Sequence, residues 1–366
     1  MQIDQFRQRL RALGANPAHE SHVLRRWAQA RPQTGGRRRM EHYLPRALCD
    51  ALPALAQDLA ALAQVRSAHP AADGGERLLV ALADGQAVES VLLPATGKSA
   101  GVCVSTQVGC AVGCVFCQTG EGGLVRQLGS AEIVAQAVLA RARRAVNKVV
   151  FMGMGEPAHN LDAVMDAIDL LGREGGIGHK NLVLSSVGDA RLFDRLDALP
   201  ADAVKPALAL SLHSTSDERR AALLPRAPRL PVADLVRRAD DYARATDYPL
   251  QLQWTLIEGV NDGDDELDAL VPLLRGRHAI LNMIPLNAVQ AYGGRRPSVE
   301  RCTEIFRRLN QRGVLTRLRQ SAAQDVDGGC GQLRARGADA APPGSSPGPQ
   351  PVSLPVSRQA PAPRAG

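Results

Sequence analysis

The chain has 366 residues, of which 45% are hydrophobic and only 3% aromatic, and its 44 basic and 37 acidic side chains leave a net charge of +7. That length suffices for one large domain with an accessory and a core built of Leu, Val and Ala, and no apolar run approaches the roughly 20 residues of a membrane span. The positive balance favours an anionic partner, nucleic acid first, over an indifferent basic surface.

The N-terminal stretch MQIDQFRQRLRAL has an early Asp and no apolar run, so no signal peptide is expected. The seven cysteines then read as thiols kept reduced in a cytoplasm. Residues 1–75 read as a helical, basic accessory region. DQFRQRLRAL, SHVLRRWAQA and ALCDALPALAQDLAALAQ carry apolar residues at helical spacing. Arg37, Arg38 and Arg39 lie between them in a Gly-rich turn, where they suit either a phosphate grip or a solvated face.

Residues 76–335 alternate strands and helices. ERLLVALADGQAVESVLLP reads as a hairpin turning at Asp84-Gly85. The strand-like runs GVCVSTQVG, KVVFMGMG, NLVLSS, ALALSLH, LQLQWTLI, AILNMIPLN and VLTRLR follow. Most are separated by amphipathic stretches, with EIVAQAVLARARRAV and LDAVMDAIDLLGR the clearest helices. Such alternation predicts an α/β fold with a parallel sheet, open or closed into a barrel. The unusual residues fall at the strand ends that precede helices, where barrel chemistry gathers. Residues 336–366 are Ala, Pro, Gly and Ser with little else, and are expected to be a disordered tail.

VGCAVGCVFC, residues 108–117, places Cys110, Cys114 and Cys117 in a CxxxCxxC pattern. A structural zinc site usually draws on two CxxC-like pairs, and no second pair follows here. Cys49, Cys302 and Cys330 stand alone. Three thiolates on a four-iron cubane leave one iron free for a substrate. In FMGMGEP, Gly153 and Gly155 flank Met154, small enough for a ligand to approach the backbone. Glu156 then offers a carboxylate to an ammonium, although a plain strand-to-helix turn would also fit.

The cysteine spacing after a strand resembles the radical S-adenosylmethionine (SAM) superfamily, and the Gly155-Glu156-Pro157 run resembles its element for the SAM amino group. The stretches DGQAVESVLLP, CVSTQVGCAVGCVFCQTGEGG, VVFMGMGEPAHN, LSLHS, EGVNDG, IPLN and DVDGGCGQL narrow the resemblance. They are similar to the RlmN/Cfr family of radical SAM RNA methyltransferases, over about residues 77–335. The resemblance implies a partial (βα)6 TIM-like barrel. It also implies one [4Fe-4S] cluster on Cys110, Cys114 and Cys117, and two SAM molecules per turnover. The implied partners are rRNA or tRNA and a one-electron reductant such as flavodoxin or ferredoxin, with the chain a monomer.

By the same resemblance, Cys330 is the residue that becomes S-methylated and Cys103 its disulfide partner. A first SAM methylates Cys330 by displacement. A second SAM, split by one electron on the cluster, gives a radical that takes hydrogen from the methylated cysteine. The methylene carbon adds to an adenine ring, a base removes the ring proton, and Cys103 attacks the Cys330 sulfur to release methylated RNA. An aromatic C–H carbon is no nucleophile toward SAM, so the cofactor must supply a radical route. Gly328, Gly329 and Gly331 are expected to let Cys330 swing. Glu89 matches the proton acceptor. It shares a period-2 strand face with Ala87, Val91 and Leu93, where an unpartnered carboxylate is costly and burial would raise its pKa. An edge-strand Glu reaching solvent is the competing reading.

Further SAM contacts implied by the resemblance are Ser185 (with Ser186 beside it), Ser211, Leu212 and His213, and Asn287 on the ribose side. The chain departs from the family where SAAQDVDGG replaces an acidic GDD run and IPLNA replaces IPWNP, so the target nucleotide is less certain than the chemistry. Adenine C2 is the first expectation and C8 the second. Two other classes stay open: a radical SAM enzyme acting on a protein or small molecule, and a non-catalytic RNA-binding relative.

Overall fold

The computed structural model describes residues 1–33, 40–95 and 97–335. The expectations for Arg37, Arg38 and Arg39 and for residues 336–366 fall outside the described residues. Three helices come first. In α1 (Ile3–Ala12), Ile3, Phe6 and Leu10 turn inward, and in α2 (Pro17–Ala28), Val23, Leu24 and Trp27 do so. Spacings of three and four residues put each set on one helical face. Asn16 caps α2 by accepting the His19 N–H at 3.0 Å, and Pro17 sits in the first turn, where no N–H is needed. In α3 (Arg46–Ala61), Leu48, Leu52, Leu55 and Leu59 form one buried stripe.

Then comes a strand that the sequence reading placed inside the helical region, β1 (Ala63–Pro70). Its partner explains the difference. The buried strand β2 (Glu76–Leu82) pairs antiparallel with it from Ala63↔Leu82 to Pro70↔Glu76, and such pairing overrides a weak local preference. The expected hairpin is formed by β2 and β3 (Ala87–Leu92), in register from Glu76↔Leu92 to Ala81↔Ala87. Gly85 at its turn has φ +85°.

GVCVSTQVG, read as one strand, is two. β4 (Ala100–Cys103) joins the main sheet, while β5 (Gln107–Gly109) pairs with β6 (Leu124–Gln127) in a separate two-stranded sheet. The break frees the cysteine loop from the barrel wall. The rest alternates: α4 (Ser130–Arg143), β7 (Val146–Phe151), α5 (Leu161–Arg173), β8 (Leu182–Ser186), α6 (Ala190–Asp197), β9 (Ala207–Ser211), α7 (Asp217–Leu223), α8 (Val232–Thr246), β10 (Leu250–Leu256), α9 (Asp264–Leu274), β11 (Ala279–Pro285), α10 (Val299–Gln311) and β12 (Thr316–Leu318).

Among the described residues one sheet has ten strands, ordered β1-β2-β3-β4-β7-β8-β9-β10-β11-β12. From β4 onward neighbouring strands run parallel. β4–α4, β7–α5, β8–α6, β9–α8, β10–α9 and β11–α10 make the βα units of the expected partial barrel. β1 and β12 are both edges, so hydrogen bonds do not close it. β8 is buried throughout and β9 nearly so, as parallel strands covered on both faces must be. Among the described residues no helix is long and apolar enough to cross a membrane.

The N-terminal helices share this core. The Ile3 N–H donates to Ser130 Oγ at 2.8 Å, Arg141 donates to the Ala28 carbonyl at 2.6 Å, and Gln29 donates to the Glu174 carbonyl at 2.9 Å. Leu24 and Trp27 belong to the same continuous apolar cluster as the barrel strands. The Leu24→Ala protein should therefore lose about 2–5 kcal/mol of global stability, read as a lower urea midpoint in a single transition. A separate early transition with the barrel unaffected would show that the helices are not part of that core.

Candidate active site: a thiol-lined cleft at the strand ends

The loop from β5 to the turn at Gln118–Gly120 carries Cys110, Cys114 and Cys117. It is held by the Cys110 N–H to the Gly123 carbonyl at 2.9 Å and the Cys117 N–H to the Cys114 carbonyl at 3.0 Å. All three thiols line one cavity of about 150 Å³. Burial pushes Cys110 up to about 12 and Cys114 and Cys117 above their ordinary values, so these groups do not ionise unaided. A metal cluster that takes thiolates supplies the missing positive charge. Among the described residues no three such side chains converge as ligands of a single metal ion would. A cubane seats each thiolate on a different iron, so a wider spacing suits it.

The same cavity is walled by residues at the carboxyl ends of β7, β8, β9 and β10, as barrel geometry dictates. Gly155 has φ +103°, and a Cβ there would lie 2.6 Å from Gln107 Cβ. Only glycine lets this backbone pass so close. Glu156 is buried. Its carboxylate accepts the Ala158 N–H at 2.9 Å and the Val187 N–H at 3.0 Å. Burial raises its pKa, and the Ser186 hydroxyl and the two N–H groups oppose the rise. An incoming ammonium would satisfy the remaining need for countercharge. Ser185 and Ser186 therefore divide their duties: Ser185 faces the cavity, while Ser186 bonds Glu156 and the Gly188 N–H.

Ser211 and His213 also line this cavity. His213 has φ +61°, which is strained for a non-glycine. Its Nδ1 accepts the Thr255 N–H at 2.9 Å, and its ring meets Phe116 edge-on at 4.8 Å. Burial, with Arg220 adding, pushes its pKa down to about 3. The ring is neutral with its proton on Nε2, because Nδ1 is the acceptor. Leu212 is buried but does not line the cavity, and its N–H is bonded to the Gln253 carbonyl at 3.0 Å. Asn287 is not brought to this cavity either. Its amide donates to Ser321 Oγ and to the Cys330 carbonyl, each at 2.9 Å, and accepts from Gln324 at 2.8 Å.

A second cavity of about 500 Å³ adjoins the first and holds Cys103. Cys330 lines both cavities. Burial pushes the Cys103 thiol up to about 12, with Cys330 contributing. Cys330 is raised too, against the Ser321 hydroxyl and the charge of Arg319, which pull it down. The segment bearing Cys330 is clamped rather than slack. Gln118 donates its backbone N–H to the Gly331 carbonyl at 2.7 Å, and Thr119 Oγ1 donates to the Leu333 carbonyl at 2.6 Å. Gly331 has φ +83°, and a Cβ there would lie 2.6 Å from the Phe116 carbonyl oxygen. In this conformation the glycine serves close packing, where the sequence reading expected a swinging tether.

Glu89 is wholly buried on β3, which lies between β2 and β4, so it is no solvent-reaching edge residue. One carboxylate oxygen pairs with the Arg77 guanidinium, and the other accepts the Arg334 N–H at 2.9 Å. Val91, two residues on along the same face, lines the larger cavity, whereas Glu89 itself lines neither cavity. Arg77 also donates to the Val326 carbonyl at 2.6 Å. The sequence reading missed Arg77. The hairpin register makes it the diagonal neighbour of Glu89, a signal that the Asp84-Gly85 turn already held. It also missed Arg220, buried with its Nε unpartnered and bonded to the Ser211 carbonyl at 3.2 Å. Its charge acts on Cys114 and Glu156.

A model of the radical SAM superfamily matches residues 104–271. A protein of Leptothrix cholodnii named probable RNA methyltransferase is 65% identical over 92% of this chain and 95% of its own length. One of Methylibium petroleiphilum with that name is 66% identical over 92% and 93%. The crystal structure of a radical SAM methyltransferase from Sphaerobacter thermophilus superposes with a TM-score of 0.78, at 34% identity, covering 92% of this chain and 98% of that one.

Arg77→Met should lower stability by about 3–5 kcal/mol, because it strands a buried carboxylate, and Arg77→Met with Glu89→Leu should regain most of it. Urea unfolding checks both. The folded chain keeps His213 unprotonated down to about pH 3, whereas the unfolded chain protonates it near 6.5. Its contribution is thus intact above about 6.5 and is lost as pH falls, by up to about 1.4 kcal/mol per unit. Unfolding of cluster-free protein at about pH 7.5 and about pH 5 should show a larger loss for the unsubstituted chain than for His213→Gln.

Proposed function

The chain belongs to the radical SAM family whose members include the probable RNA methyltransferases it matches over nearly their whole length, and from that premise we propose that it methylates an adenine ring carbon in RNA. Cys330 carries the methyl group and Cys103 releases the product. C2 is favoured over C8, and the RNA is ribosomal or transfer RNA. The observation that carries this reading is the position of Cys330 in the wall of both cavities. One cavity has the three thiols and Glu156; the other has Cys103.

Cys110, Cys114 and Cys117 would hold a [4Fe-4S] cluster, which with SAM supplies the one-electron chemistry that activates a methyl C–H bond. Glu156 would bind the amino group of SAM, and Gly155 and Ser185 would line its path. The chain's own groups do the rest. Ser321 and Arg319 oppose the burial that raises the Cys330 thiol, and so work toward the thiolate that accepts a methyl from SAM. Glu89 takes the ring proton once the Arg334 N–H yields its oxygen, and the adduct gives back the one electron that the reductant supplied. Cys103 attacks the Cys330 sulfur. The S–C bond breaks toward carbon, which takes up a proton, and the disulfide is later reduced by two electrons from an external thiol or dithiol.

The test is the Cys103→Ala protein, purified without air. Loss of the releasing thiol should leave RNA covalently attached at Cys330, and Cys330→Ala in the same background should abolish the attachment. Sequencing of the recovered RNA names the target. An intact cluster with unmethylated Cys330 and no RNA would instead favour a protein or small-molecule substrate.

A further inference from the structure

Many arginines among the described residues are already committed. Arg7 and Arg11 pair with Glu20, Arg9 with Asp58 and Arg25 with Glu174. On α10, Arg301 and Arg308 share Asp264 and Glu304, and Arg312 pairs with Asp268. The basic N-terminal helices therefore offer less free charge than their composition suggests. One group of cations differs. Lys148 on β7 and Arg319 just beyond β12 line the 500 Å³ cavity, and Arg317 is exposed on edge strand β12, on the same strand face as Arg319. Among the described residues none of the three has a carboxylate at ion-pair distance.

Their mutual repulsion registers at Lys148, whose pKa is pulled down by burial and then by Arg319 and Arg317. The one acid in the cavity wall, Asp73, is at ion-pair distance from none of them. Both Asp73 oxygens already accept backbone N–H groups, from Gly75 at 2.8 Å and Ala323 at 2.9 Å. The remaining polar side chains toward the floor, Gln251 and Gln253, are uncharged. Like charges gathered without counterions destabilise a fold unless an anion joins them. The cavity beyond them is of nucleoside size and has apolar walls at Val91, Leu93, Pro94 and Leu318. It leads to Cys103 and Cys330.

We infer that Lys148, Arg317 and Arg319 form the phosphate-binding rim on which the RNA backbone rests while one base enters the cavity toward Cys330. The site lies where the barrel fails to close, beside edge strand β12. This rests on the RNA reading above. Phosphates position the strand, and the cavity selects the base.

The experiment uses the full chain with its cluster and two probes, deproteinised total tRNA and deproteinised ribosomal RNA. Filter binding is followed across a salt series. Each phosphate contact contributes about 0.7 to the slope of log K against log salt for single strands. Lys148→Gln, Arg317→Gln and Arg319→Gln should each reduce the slope by about that amount, and Lys148→Arg should restore it. Arg238→Gln, at an arginine paired with Asp194 and Asp197, should leave the slope unchanged. Iron content and the thermal midpoint separate a lost contact from a lost fold. Salt-dependent binding by the unsubstituted chain with unchanged slopes in all three variants would overturn the rim and leave the RNA reading standing. No binding of either RNA by the unsubstituted chain, together with no adduct in Cys103→Ala, would overturn both.

Discussion

The site depends on the clamp that holds the segment around Cys330 against the cysteine loop and the hairpin. Gln118 and Thr119 grip the Gly331 and Leu333 carbonyls, while Arg77 and Glu89 hold Val326 and Arg334. Further bonds run from Ala72 to Asp325 and from Ala323 to Asp73. All but one join a side chain to the backbone, and most are at least partly buried, where an unmade bond is expensive. They close a loop of more than two hundred residues between Cys117 and Cys330, which takes in most of the barrel.

The second constraint is countercharge. One buried and two half-buried thiols, a buried glutamate and a neutral histidine line one small cavity, and the charge of the buried Arg220 guanidinium reaches them from outside its wall. No pair among them balances in isolation. Arg220 offsets Cys114 and Glu156, and His213 stays uncharged because burial, with the Arg220 charge adding, disfavours its protonated form. Such a set is stable when occupied by a positively charged cluster core and an ammonium-bearing ligand, which is why the residues fit the groups proposed for them.

Glu89 shows how far apart the resting arrangement and the proposed reaction stand. Both its oxygens are engaged, one by Arg77 and one by the Arg334 N–H. A proton arriving at either oxygen competes with the partner already there, most easily with the Arg334 N–H. The segment that bears this N–H is the one that carries Cys330. The proposed carrier and the proposed base are thus joined through Arg77, Val326 and Arg334.

The sequence by itself determined the element types and the cluster motif, because those are short-range properties. Strand and helix periods, the Asp84-Gly85 turn and the CxxxCxxC spacing each fit within a window of a few residues. The resemblance then attached expected roles to Glu89, Cys103 and Cys330. Only the tertiary structure decided what surrounds each of them. β1 is a strand because β2 needs a partner, and GVCVSTQVG breaks in two because its second half pairs with β6. Ser185 rather than Ser186 faces the cavity, Asn287 turns to the Cys330 loop, and Gly331 is packed tight. The arginines divide the same way: composition gave their number, and only the fold fixed which are paired with acids and which stand unpaired beside the larger cavity. Long-range neighbours set burial, pairing and charge balance, and no local pattern encodes them.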